Sequence, residues 1–141
     1  MNETPEPDDP SAAGSLLPLS RADVSPLPNR RDFLAAARAR KQAMPGLVLQ
    51  ARRRGADEPS SSAIRLGLTC SKKVGNAVLR NRARRRLRAA AMIALPSFGK
   101  AGWDYVLIGR RDVTVARSFD DLVADVETAL GRIHTPRKPR P

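Results

Sequence analysis

Residues 64–71 alternate strictly: Ile64, Leu66, Leu68 and Cys70 are apolar or nearly so, while Arg65, Gly67, Thr69 and Ser71 lie between them. A repeat of two is the side-chain period of a strand, so the segment reads as a half-buried strand whose second face is polar and carries an arginine. The period then changes. From Asn76, a potential N-cap, Leu79, Ala83, Leu87, Ala90 and Ala94 recur at helical spacing and form one apolar stripe, ending at Leu95-Pro96. Upstream, Pro28-Asn29 opens a helix with Asn29 as N-cap and Asp32 at its third position. That helix is expected over residues 30–41, with Phe33, Ala36, Ala37 and Arg40 on one face, before Pro45-Gly46 stops it. Residues 47–52 read as a short strand, residues 53–62 as a loop, and residues 103–109 as a third strand followed by Arg110-Arg111. Ser118 caps a last helix, with Phe119, Leu122, Val123, Val126, Leu130 and Ile133 facing the core and Asp125 and Glu127 outward; after Gly131 the chain is expected to fray.

Helix, strands, helix, strand, helix is the order of an α+β domain, with helices packed on a small mixed sheet. Three segments are expected. Residues 1–28 form an acidic, Pro-rich disordered extension, residues 29–134 the folded domain, and residues 135–141 a basic disordered tail.

Charge gives the central helix its meaning. Residues 71–88 hold eight cations and no acid, and no Asp or Glu occurs between Pro59 and Trp103. Opposite the apolar stripe fall Arg82, Arg84, Arg85, Arg88 and Asn81, with Arg80 and Arg86 on the flanks. The chain carries a net charge of +12, and residues 1–20 contribute four acids and no base, so the remainder stands at +16. Such an excess implies a polyanionic partner, nucleic acid first. No apolar run is long enough to span a bilayer, and the basic helix lacks aromatic anchors, so a membrane partner is not expected. No helix-turn-helix spacing supports DNA. A single cysteine excludes an intramolecular disulfide and suits a reducing cytoplasm; Cys70, in an apolar alternation, reads as a small core residue.

A protein that cut RNA by itself would need carboxylates holding metal ions, or paired acid and base groups. The carboxylates are scattered: Asp32, Asp120 and Asp121 sit at helix starts, Asp57-Glu58 in a loop, and Asp104 on a strand, where it reads as an edge acid paired with a nearby arginine. His134, the single histidine, falls in the expected frayed end. No metal-ligand cluster, phosphate loop or nucleophile–base pair is present, so no catalytic residue is expected. The pattern is that of a binder whose partner supplies the chemistry. Phe33 has two readings, a core anchor or an aromatic lining a groove for unpaired nucleotides.

Residues 65–88, including Arg80-Asn81-Arg82, closely resemble the signature of the protein subunit of bacterial ribonuclease P, and residues 102–110 and Asp32-Phe33 resemble that family's following strand and first helix. The resemblance covers about residues 29–134. It implies an αβββαβα fold with a four-stranded mixed sheet and a left-handed crossover around the basic helix. It also implies a cytoplasmic ribonucleoprotein that removes the 5′ leader of precursor tRNA. A large catalytic RNA would hold the Mg2+ ions, with no cofactor on the protein. Carried over, Lys72, Lys73, Asn76, Arg80, Asn81, Arg82, Arg84, Arg85 and Arg88 match the motif that binds the catalytic RNA. Phe33 matches an aromatic of the cleft for the single-stranded leader, where Arg52 and Arg65 join it. The chain departs from the family at Ala37, where many members have a second aromatic, in the strand at residues 47–50, which lacks aromatics, at Ala83, where a branched residue is usual, and in its acidic extension. The rival reading is a ribosomal or general structural RNA-binding protein with no part in cleavage.

Overall fold

The computed structural model describes residues 23–55 and 63–135. Most of the acidic extension, most of the loop with Asp57-Glu58, residues 136–141 and the side chain of Lys72 lie outside the described residues. The elements in chain order are β1 (Val24–Pro26), α1 (Arg30–Ala37), β2 (Arg40–Ala43), β3 (Leu47–Arg53), β4 (Ile64–Thr69), a 3-10 turn (Lys72–Val74), α2 (Ala77–Phe98), β5 (Trp103–Gly109) and α3 (Phe119–His134). The strands form one mixed sheet in the order β1-β4-β5-β3-β2, with β5 parallel to β4 and antiparallel to β3.

The sheet has one strand more than the four expected, β1, and its other edge, β2, is a strand that the sequence pattern does not show. β1 lies within the stretch assigned to the extension: Val24 pairs in parallel with Ile64, Leu27 donates to the Leu66 carbonyl at 3.0 Å, and the Leu27 side chain is buried. Pro26, which has no N–H, is tolerated there because an outer strand leaves one side unpaired. β2 is the short fourth strand that the αβββαβα order requires. Residues 37–41 have good helix formers, but α1 ends at Ala37, and Arg40–Ala43 turn back onto β3 in a hairpin closed by Met44 N–H to the Leu47 carbonyl at 2.8 Å. A polar strand at a solvent-facing edge shows no hydrophobic alternation, so only its pairing reveals it.

Alternation assigns the two sheet faces. Leu47, Leu49 and Ala51 of β3, Ile64 and Leu66 of β4, and Tyr105 and Leu107 of β5 pack with Leu87, Ala90, Ala94 and Leu95 of α2 and Leu122, Val126, Leu130 and Ile133 of α3. On the other face, Val106 packs with Leu27, Phe33, Ala36 and Ile108 beneath α1. Ala83 is fully buried, as are Ala90, Ala91 and Ala94, so small side chains fill the face where the family usually has a branched one. Leu79, expected in the stripe, is 38% exposed. α2 also runs through Pro96 to Phe98, because a proline in the last turn removes one hydrogen bond while Leu95 beside it stays buried.

The last helix differs in two ways. It continues past Gly131 to His134. Asp125, expected on the surface, is 4% exposed and accepts from Arg117 at 2.6 and 3.1 Å and from the Gly46 N–H at 2.9 Å. The loop after β5 folds back over that flank: Arg110 reaches the Met44 carbonyl at 2.9 Å and Thr114 the Gly46 carbonyl at 2.6 Å.

Candidate nucleic-acid interface

The described candidate residues fall into two groups, carried by opposite faces of the sheet. The first is α2 and the turn before it. Asn76 caps the helix as expected, its Oδ1 accepting from Leu79 N–H at 3.0 Å, a contact that stabilises a helix start by about 1 kcal/mol. Lys73, Asn81, Arg82, Arg85 and Arg88 are exposed, and Arg80 and Arg84 are half-buried. Arg84 is steered by Asn81, whose Oδ1 accepts from its Nη2 at 2.6 Å. Among the described residues none of Arg80, Arg82, Arg84, Arg85 and Arg88 is paired with a carboxylate. Like charges kept close without counterions cost free energy, and a polyanion removes that cost. Arg86 is diverted: it donates to the carbonyls of Thr114 (3.2 Å) and Arg117, tying α2 to the loop after β5.

The second group lies under α1. Phe33 is half-buried over Gly67, where an added Cβ would stand 2.5 Å from the ring's Cε1. Glycine at that point of β4 lets the ring lie on the backbone. Phe33 packs on Val106, as a core anchor would, with part of its surface open. Ala37 is exposed and adds no second ring.

Arg52 and Arg65 do not stand free on this face of the sheet. Both meet Asp104, which is fully buried on β5, the middle strand, and is no edge acid. Arg65 bonds it at 2.8 and 2.7 Å and also approaches Asp32 of α1 at 3.4 Å; Arg52 lies 3.7 Å away. Arg54, missed in the sequence, supplies a third guanidinium at 2.6 Å, with a side chain only 1% exposed. The hydrogen bonds to Asp104 hold Arg65 still more firmly protonated than usual. One signal was available: a lone acid, after more than forty residues without one, in a strongly apolar strand calls for a buried cationic partner.

His134 is docked. Lys100 N–H donates to Tyr105 Oη at 2.9 Å, Tyr105 Oη lies 2.6 Å from His134 Nε2, and the imidazole stands edge-on to Trp103 at 4.5 Å. Burial, helped by Lys100 and Arg40, lowers the His134 pKa from 6.5 to about 4. Below pH 6.5 the unfolded chain then takes up a proton that the folded chain refuses until about pH 4. Stability is expected to be full above that window and to fall through it as pH drops. Thermal melts followed by Trp103 emission, compared with His134→Gln, check this; equal slopes for both proteins would show that His134 is not the group. Cys70 is half-buried, and burial pushes its thiol pKa up, as for a small core residue.

Of the described acids, Asp104, Asp32 and Asp125 face guanidiniums, and at the start of α3 it is Ser118 Oγ that caps, accepting from the Asp121 N–H at 3.2 Å. Among the described residues no group of three or more His, Cys, Asp or Glu is placed to hold a metal ion, and no helix is long and apolar enough to cross a membrane.

Known proteins bear on this arrangement. A family model described as Ribonuclease P matches residues 23–134, so the match includes β1. The ribonuclease P protein component of Ruegeria pomeroyi is 55% identical over 114 residues, covering 81% of this chain and 90% of the relative. That of Paramagnetospirillum magneticum is 47% identical over 113 residues, covering 79% and 84%. In fold, the chain is similar to the RNase P protein from Thermotoga maritima, with a TM-score of 0.64, 24% identity, and coverage of 79% of this chain and 99% of that one. A helix with five arginines that lack carboxylate partners among the described residues, a half-buried aromatic on the other sheet face, and relatives that agree over nearly the whole described domain lead to one conclusion: this chain belongs to the ribonuclease P protein family.

Proposed function

We propose that the protein is the non-catalytic subunit of a bacterial, cytoplasmic endoribonuclease, gripping a large catalytic RNA with α2 and the 5′ leader of precursor tRNA with the groove under α1. The observation that carries this reading is the outward face of α2, where Arg80, Arg82, Arg84, Arg85 and Arg88 lack carboxylate partners among the described residues. Forked guanidiniums suit phosphate oxygens better than ammonium groups do, and a helix docked through Ala83, Leu87, Ala90 and Ala94 holds them in fixed array. In the groove, Phe33 offers a ring on which an unpaired base can stack, worth roughly 1–3 kcal/mol per base.

Hydrolysis of the phosphodiester bond is assigned to the RNA and its Mg2+ ions. The protein's buried carboxylates are already matched by arginines and do not suit a hard cation, which needs several open oxygen ligands. The protein's part is to neutralise phosphates and hold the leader, so that cleavage proceeds at a lower magnesium concentration.

Reconstitution with the cognate catalytic RNA at low magnesium tests this. The RNA with protein should release the leader efficiently, the RNA alone poorly, and the protein alone not at all. Cleavage by protein alone would overturn the assignment. Arg82→Ala should weaken binding of the catalytic RNA severalfold, whereas Phe33→Ala should weaken only substrates that carry a leader. The same loss pattern from both would rule out two separate surfaces.

A further inference from the structure

The sheet register places Asp104 of β5 directly beside Arg52 of β3 and Arg65 of β4. A buried carboxylate needs one buried guanidinium, and Arg54 already serves, donating at 2.6 Å from a side chain that is 1% exposed. The other two arginines remain partly open, Arg65 at 14% and Arg52 at 25% side-chain exposure. Arg65 spans both Asp104 oxygens, Nε to Oδ1 at 2.8 Å and Nη2 to Oδ2 at 2.7 Å. This two-point contact fixes the plane and direction of the guanidinium, and Asp32 braces Nη2 from the α1 side at 3.4 Å. Among the described residues Nη1 of Arg65 makes no hydrogen bond. Phe33, the residue after Asp32 in α1, lies against Gly67, two residues along β4 from Arg65.

We infer that Asp104 is a positioning residue for leader binding: it aims Arg65, and with it Arg52, at the RNA strand that stacks on Phe33. Asp104 touches no RNA itself, being fully buried. It holds the donor fork of Arg65 in one orientation, leaving Nη1 for an acceptor oxygen of the leader. Three guanidiniums against two carboxylates leave one positive charge on the groove floor. The groove therefore recognises an unpaired strand by geometry more than by charge density, unlike α2. This inference rests on the groove being the leader site.

The test uses the holoenzyme reconstituted with its cognate RNA and compares affinity for precursor tRNA with affinity for leaderless mature tRNA. The ratio of the two isolates the leader. Arg65→Lys keeps the charge but cannot span both oxygens of Asp104. It should reduce the ratio on the order of tenfold while leaving mature tRNA affinity within about twofold. Asp104→Asn should reduce the ratio similarly, and the double variant should lose no more than either single one, because both changes undo one contact. If Asp104→Asn fails to fold, Arg65→Lys alone decides. An unchanged ratio in folded Arg65→Lys, with Phe33→Ala still lowering it, would overturn the role of Asp104 and leave the groove as the leader site. An unchanged ratio in Phe33→Ala as well would remove the leader site itself.

Discussion

Raising monovalent salt from about 50 mM to about 200 mM is expected to weaken the complex with the catalytic RNA roughly 250-fold. Five arginines on α2 stand without carboxylate partners among the described residues, and each phosphate they neutralise releases condensed counterions. For about five phosphates, log affinity should fall against log salt with a slope of roughly −4. Filter binding or fluorescence titration across four salt concentrations measures it. Arg82→Ala should lower the steepness by about one unit. Arg86→Ala should scarcely change it, since that guanidinium is already committed to the carbonyls of Thr114 and Arg117. A flat response in the unaltered protein would show that these side chains do not meet phosphate.

The second large effect is on stability. Asp104→Ala should cost about 3–5 kcal/mol, because it leaves Arg54 charged in a site that water does not reach. For a domain of this size the melting temperature should fall on the order of 10 °C or more. Asp121, exposed in the first turn of α3, gives the contrast: replacing it by Ala should cost well under about 1 kcal/mol, the scale of an exposed charge at a helix end. Urea titration of the three proteins compares them directly. A loss at Asp104 no greater than at Asp121 would mean that Arg54 finds water or another acceptor once the carboxylate is gone.

The two effects come from opposite uses of arginine. On α2 the charge is left exposed, so it acts over distance and is screened by salt. Under α1 it is matched by Asp104 and Asp32, so what remains is shape and hydrogen-bond direction. On the proposed function, a surface for a large RNA and one for a short single strand have reason to be separate.

The features the sequence determined by itself are those that local chemistry controls. The apolar positions of α2 at helical spacing, its cap at Asn76, the arginines on its far side, the alternating strand β4 and the apolar strand β5 all follow from the periods of helix and strand. Tertiary structure decided whatever depends on residues distant in the chain. β1 and β2 are edge strands without a hydrophobic signature, and they exist because β4 and β3 offer them partners. Asp104, Arg52 and Arg65 come together through strand register, not spacing. His134 is held by Tyr105 and Trp103, about thirty residues earlier, so the helix does not end where Gly131 would allow. Periodicity reports which side of an element is apolar; only the packing of one element on another says which charges meet and which remain open to a partner.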